Sequence, residues 1–167
     1  MVTGVYICIM RLEDAIKTTR FNDEKHKAAL NLMYTSYWFK NQISKEMKAN
    51  GLTFEQFNIL RILRGSHPEN MCIRDIADRM IEKSSNVPRI IDRLIVKKLV
   101  KRSTSRVDKR ETLITLTEKG MAVLEETSKL TNHLTTDVIG LNEEDAIMLN
   151  KLLEKMRNEE HMEAVAE

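Results

Sequence analysis

Cysteine, proline, glycine and aromatic residues are all scarce in this chain, and each scarcity removes a class of protein. The two cysteines, Cys8 and Cys72, lie far apart and form no CxxC, which excludes a disulfide framework and a cysteine-ligated zinc site. With two prolines and five glycines in 167 residues, there is no room for a Pro-rich linker or a low-complexity tract, and no fixed-period repeat is present. The apolar run from Val5 to Met10 is too short to cross a bilayer, and no basic residue precedes it as in a signal peptide. No membrane association is therefore expected, and a cytoplasmic protein is. Missing too are GxSxG, a P-loop, GxGxxG and HExxH, so an enzyme is not expected. His26, His67, His133 and His161 show no ligand spacing such as HxxxH, so no metal or other cofactor is expected.

What is present is an ordinary soluble composition, 42% hydrophobic and 31% charged, with an uneven distribution of charge. Between Arg79 and Arg110 there are eleven lysines and arginines against Glu82, Asp92 and Asp108, a net of +8. Because the whole chain carries only +2, everything else sums to −6. One segment holds the basic charge, as a polyanion-binding surface requires.

Four glycines, Gly51, Gly65, Gly120 and Gly140, punctuate the chain into helix-sized pieces. Leu30, Met33, Tyr34, Tyr37, Ile43 and Met47 predict a long amphipathic helix from about Asp23 to Asn50, with Leu12 and Ile16 marking a shorter one before it. Thr53 is placed to cap the next helix, whose Phe57, Ile59, Leu60 and Leu63 read as core. Ile76, Ala77 and Met80 define a short helix with a weak N-cap. A turn through Glu82 and Lys83 leads to a helix predicted to start at Ser85 under a Ser84 or Ser85 cap, which places Pro88 in the first turn, where a missing N–H is harmless. There Val87, Ile90, Ile91, Leu94 and Ile95 form one apolar face. Opposite them, Asn86, Arg89, Arg93 and Lys97 share an arc of about 80° that a major groove can accept. "LVKRSTS" and "ETLITLT", joined by the basic "SRVDKR", predict a β-hairpin with Leu113, Ile114 and Leu116 as its apolar members. Two more helices follow. Met121, Leu124, Leu134 and Val138 mark the first, and Leu149, Leu152, Leu153 and Met156 the second, with Asn142 before Glu143, Glu144 and Asp145 as its start. The terminal helices carry more apolar surface than the small central core can cover, so a homodimer is expected.

"LVKRSTSRVDKRETLITLTEKG" resembles the wing signature of the MarR family of bacterial regulators. Asp108 and Arg110 fill an Asp-x-Arg, Leu116 and Thr117 end the following strand, and Gly120 opens the next helix; the likeness runs from about Asp23 to Met156. The resemblance implies a mainly α (α+β) fold, a winged helix-turn-helix lobe with a small β-hairpin wing on a dimerisation base of long N- and C-terminal helices. The chain reads as a single such domain, residues 1–167, with the lobe at about 53–117 and the helical dimerisation regions at about 10–50 and 118–160. It also implies a transcriptional repressor or activator on double-stranded DNA, and a repressor released by a small molecule is the expectation. Ser85, Asn86, Arg89 and Arg93 become major-groove candidates, and Arg106 and Lys109 candidates for the wing tip. Arginine forks suit guanine and asparagine suits adenine, while Lys97, Lys98, Lys101 and Arg102 suit phosphates. Asp108 is read as an ionic brace for a DNA-proximal Arg110. Small aromatic or anionic effectors are common in the family, which makes Tyr34, Tyr37 and Trp38 candidate pocket residues. The family's peroxide-sensing cysteine is not matched, since Ala28, Ala29 and Leu30 stand in that neighbourhood. The alternative, an interaction protein whose basic segment binds RNA or an acidic partner, is disfavoured because Arg79 to Arg110 contains no aromatic residue on which a single-stranded base can stack.

Overall fold

The computed structural model describes residues 10–83, 85–133, 136 and 139–157; Cys8, Ser84, Leu134, Val138 and His161 lie outside them. The elements run α1 (Leu12–Ile16), α2 (Glu24–Ala49), α3 (Phe54–Ser66), β1 (Met71–Cys72), α4 (Ile73–Arg79), α5 (Val87–Val96), β2 (Val100–Thr104), β3 (Thr112–Leu116), α6 (Glu118–His133) and α7 (Glu143–Met156). Compactness divides the chain into two units after Thr127. No described helix is long and apolar enough to cross a membrane.

Capping chemistry explains most of the helix starts. Asp23 accepts from the His26 N–H at 2.7 Å to open α2, and Asn142 accepts from Asp145 N–H at 2.8 Å to open α7. Thr53 and Gln56 form a reciprocal capping box at α3, which satisfies two otherwise orphaned donors. The weak cap foreseen for α4 is the Cys72 thiol, whose Sγ accepts from Asp75 N–H at 3.4 Å. Two boundaries differ from expectation. Gly65 lies inside α3 rather than after it; packing of Leu60 and Leu63 outweighs the modest helix cost of one glycine. α5 starts at Val87 and not at Ser85, with Asn86 as its cap and Pro88 as its second residue. The proline thus marks a start, two residues later than the sequence suggests.

The predicted hairpin is present, and a third strand joins it. β3 is central in the order β1-β3-β2, pairing Val100 with Leu116 through to Thr104 with Thr112 on one side and Met71 with Ile114 on the other. β1 escapes sequence reading because two residues carry no period. The core of this lobe is formed by Ile59, Leu60, Leu63, Ile76, Ile91, Leu94, Ile114 and Leu124, all essentially inaccessible.

α5 ends in a left-handed residue. Lys98 has φ of 61°; the Leu99 N–H reaches Leu94 O at 3.0 Å and the Lys98 N–H reaches Ile95 O at 2.8 Å, a Schellman closure that most helices build with glycine. The chain then enters β2 beside Thr117. The Thr117 hydroxyl lies 2.9 Å from Lys98 O and 3.0 Å from Leu99 O, to which it donates, and it accepts from the Gly120 N–H at 3.0 Å. Gly120 is required there: a Cβ would fall 2.1 Å from Leu99 O and 2.8 Å from Leu116 Cδ1. Since the nearest obstacle is backbone, relief must come from shifting α6 off the sheet. Gly120→Ala is expected to cost about 3 kcal/mol, the upper range for overpacking, measured by urea unfolding; a loss below about 1 kcal/mol would mean that α6 moves freely.

Candidate nucleic-acid interface

α5 is strictly two-sided. Val87, Ile91 and Leu94 are 3%, 0% and 0% exposed, with Ile90 and Ile95 half-buried and Arg89 and Arg93 on the open side. Ser85, Asn86, Arg89, Ile90 and Arg93 line a shallow cavity of about 310 Å³ together with Glu55 and Glu82. This brings together the major-groove candidates that the sequence proposed, and adds two carboxylates that it did not. Asn86 sits there in a second capacity. Its Oδ1 accepts from Arg89 N–H at 3.2 Å as the helix cap, so one of that oxygen's two lone pairs is spent on the helix start.

Lys97 leaves the group. As the C-cap of α5 it directs its ammonium to Gly51 O and, at 2.8 Å, to Gln56 Oε1, tying the end of α5 to the capping box of α3. The helical arc placed it beside Arg93 because sequence spacing cannot show that carbonyl and amide acceptors from another element come within reach. Arg102, on β2, pairs with Asp92 of α5 at 2.7 Å. Both are well exposed, so the pair is worth little as stability, but it lowers the free positive charge that Arg102 offers. Lys98 and Lys101 are exposed, as phosphate-binding lysines would be.

The wing tip is organised by short polar side chains. Buried Ser105 accepts from the Val107 and Asp108 N–H groups at 3.2 and 3.3 Å, and its own N–H reaches Glu111 O at 3.0 Å. Glu111 N–H closes onto Asp108 O at 2.9 Å. The Asp108 carboxylate accepts from the backbone N–H of Arg110 at 2.9 Å, not from its guanidinium. The ionic brace expected from the sequence is therefore a side-chain-to-backbone turn, the ordinary local behaviour of aspartate. It leaves Arg106, Lys109 and Arg110 all exposed at the tip, with Val107 99% exposed among them.

A cation outside the basic segment also belongs to this surface. Arg74, near the start of α4 and exposed, lies 4.0 Å from Asp75 and borders a cavity of about 290 Å³ with Cys72, Ile73, Arg110, Glu111 and Thr112. A charge count along the chain misses it, because β1 pairing with β3 is what carries the start of α4 to the wing. Tyr34, Tyr37 and Trp38 do share a cavity, of about 360 Å³, with Asn41, Gln42, Ser44, Lys45 and Lys48. All are on α2. Among the described residues, no three His, Cys, Asp or Glu side chains gather as a metal site.

Residues 52–120 match the family of winged helix DNA-binding domains. The chain is similar to two transcriptional regulators of Staphylococcus aureus. It is 34% identical to TcaR over 106 residues, 62% of this chain and 68% of TcaR. To MgrA it is 27% identical over 138 residues, 80% of this chain and 92% of MgrA. Among solved structures it resembles AbsC, a MarR family transcriptional regulator from Streptomyces coelicolor, with a TM-score of 0.70 and 25% identity, covering 87% of this chain and 99% of AbsC.

The two accounts of Asp108 separate cleanly. Asp108→Ala is expected to speed hydrogen exchange of the Arg110 amide by roughly 3- to 10-fold, the scale of one net hydrogen bond, whereas Asp108→Asn, which keeps the acceptor and loses the charge, should leave it near wild type. Equal acceleration in both variants would restore the ion pair.

Proposed function

We propose, given that the chain belongs to the MarR family of winged helix-turn-helix transcriptional regulators, that it is a homodimeric repressor that grips a palindromic duplex operator and lets go when a small molecule binds. Sequence-specific regulation through duplex DNA is the family's activity and this chain's. That decides against the RNA or acidic-protein alternative and leaves catalysis without a role. The observation that carries the reading is the two-sidedness of α5: Val87, Ile91 and Leu94 are committed to the core, and Arg89 and Arg93 stand on the other face, on the same lobe as a wing with three exposed cations.

In this reading α5 enters the major groove. Arg89 and Arg93 address guanine edges; Ser85 contacts the backbone or a base edge at the helix entrance; the Asn86 side chain keeps its cap and offers its amide N–H groups. Arg106, Lys109 and Arg110 reach toward the adjacent minor groove. Lys98, Lys101 and, less strongly, Arg102 hold phosphates, and Lys97 acts from behind by fixing the end of α5. Arg74 joins the phosphate set. The protein works in the cytoplasm, where its operator is.

Selection of bound duplexes from a random pool tests the reading, with an inverted repeat as the expected result. On that operator Arg89→Ala should cost ~1 to 3 kcal/mol and relax preference at particular base pairs, while Lys101→Ala should weaken every sequence alike. A uniform loss for Arg89→Ala would remove it from base reading.

A second copy of the chain is the natural cover for apolar surface left open. α2 buries only Ile43 and Met47 of its 26 residues, with Met33 and Tyr37 more than 60% exposed; on α7, Ile147, Met148, Leu149, Leu152 and Met156 are all exposed. Replacing Leu149 and Leu152 by Gln is expected to give monomers in sedimentation, and an unchanged dimer would put the interface elsewhere. With two lobes reading one face of the duplex, half-sites should lie ~10 bp apart, or a multiple of that, centre to centre.

An effector site on α2 is supported by the shared cavity in which Tyr34, Tyr37 and Trp38 offer ring faces and Lys45 and Lys48 offer charge beside them. That combination suits a small aromatic anion.

A further inference from the structure

Two carboxylates, Glu55 and Glu82, border the same cavity as Arg89 and Arg93. On a surface meant for phosphates they are a liability. Each can capture an arginine that base reading requires, and each repels the DNA backbone. A cation from a different element answers them. The Lys40 ammonium, on α2, is hydrogen-bonded to Glu82 Oε1 and lies 4.0 Å from Glu55 Oε1; it also sits 5.8 Å from the centre of the Phe54 ring. The Glu82 hydrogen bond, followed by the charges of Glu82 and Glu55, raises the Lys40 pKa above its usual value, so it stays protonated wherever the protein is folded near neutrality. Glu82 is also a backbone anchor: its carbonyl accepts from Ser85 N–H at 3.1 Å, immediately before the Asn86 cap.

We propose that Lys40 is a positioning residue for DNA recognition, holding Glu82 and Glu55 neutralised and turned from Arg89 and Arg93 so that the arginines remain available to DNA. The proposal rests on the assignment of the α5 face to DNA. Lys40 itself has no need to touch the duplex.

Binding of the full chain to its selected operator and to a random duplex tests this. Lys40→Gln should weaken operator binding by ~10-fold, the size of one strong side-chain coupling, and Lys40→Arg should stay near wild type. Glu82→Gln placed in the Lys40→Gln background should recover most of the loss. The deficit of Lys40→Gln should shrink as salt is raised, because it is a matter of unscreened charge; a deficit from distorted structure would not. Glu82→Gln alone, which does not depend on how Lys40→Gln folds, should bind random duplex ~2- to 5-fold more tightly, since a negative charge leaves the phosphate-facing surface. Unchanged operator affinity in Lys40→Gln, failure of Glu82→Gln to rescue it, or no gain for Glu82→Gln alone would each overturn the proposal. Arg89→Ala serves as the control. If it weakens binding while Lys40→Gln does not, only the role of Lys40 falls; if it has no effect, the assignment of the α5 face falls first.

Discussion

The carbonyl of Leu99 is the point on which this lobe turns. It receives both the N–H and the hydroxyl of Thr117 at 3.1 and 3.0 Å, and Gly120 passes so close that no side chain fits between. At this one place the end of α5, the start of β2, the end of β3 and the start of α6 are held together. Their mutual arrangement decides where the reading helix points relative to the wing. A one-residue slip of β2 against β3 would turn Val100 from the core to the surface and swing the wing away from α5. The left-handed Lys98 makes the junction possible by reversing the chain directly after the helix. A lysine there accepts the backbone cost that glycine would avoid, and it places an ammonium group at the edge of the DNA-binding surface.

The basic segment divides into cations turned outward and cations spent internally. Lys97 braces α5 against α3, and Arg102 neutralises Asp92. Arg89, Arg93, Lys101, Arg106, Lys109 and Arg110 stay exposed. The net charge of the segment sets the long-range attraction to a polyanion, which acts over about a Debye length and is indifferent to local pairing. The division sets which side chains arrive with donors free. These are different quantities, and only the first is a property of composition.

That distinction explains how much was legible in the sequence. The helices were readable because caps and apolar spacing are local: Thr53, Asn142 and the Val87–Ile91–Leu94 stripe each announce their structure within a few residues. The wing was readable from alternation and from a motif. Hydrogen-bond partners were not, because they depend on exact helix and turn boundaries or come from elsewhere in the fold. Asn86, placed on the open arc by a helical projection, is also the cap of α5, because the helix begins one residue after it. Asp108 looks like a partner for a guanidinium until the turn shows a backbone N–H nearer. Lys97 lies in the right arc, yet Gly51 and Gln56, brought close by the packing of α3 on α5, claim it. Arg74 was invisible for the opposite reason, since only the two-residue β1 carries it to the wing.

Apolar surface supplies the last constraint. A 26-residue helix that buries two side chains is too costly in conformational entropy to be held by its own contacts, and caps at either end recover only about 1 kcal/mol each. α2 therefore depends on partners along its length. At its C-terminal end the lobe provides them, through Ile43, Met47 and the Lys40 grip on Glu55 and Glu82. Near its N-terminal end Lys27 reaches Glu13 at 2.8 Å. That hydrogen bond, with Arg11 adding to it, lowers the Glu13 carboxyl to a pKa of about 2, so acid breaks the contact only as pH falls through that range. Between these anchors Met33 and Tyr37 stand open. An element fastened at both ends and uncovered in the middle is suited to receive a second chain or an effector there. Because the same helix carries Lys40 to Glu82 in the turn before α5, whatever seats on its middle meets a body already tied to the start of α5.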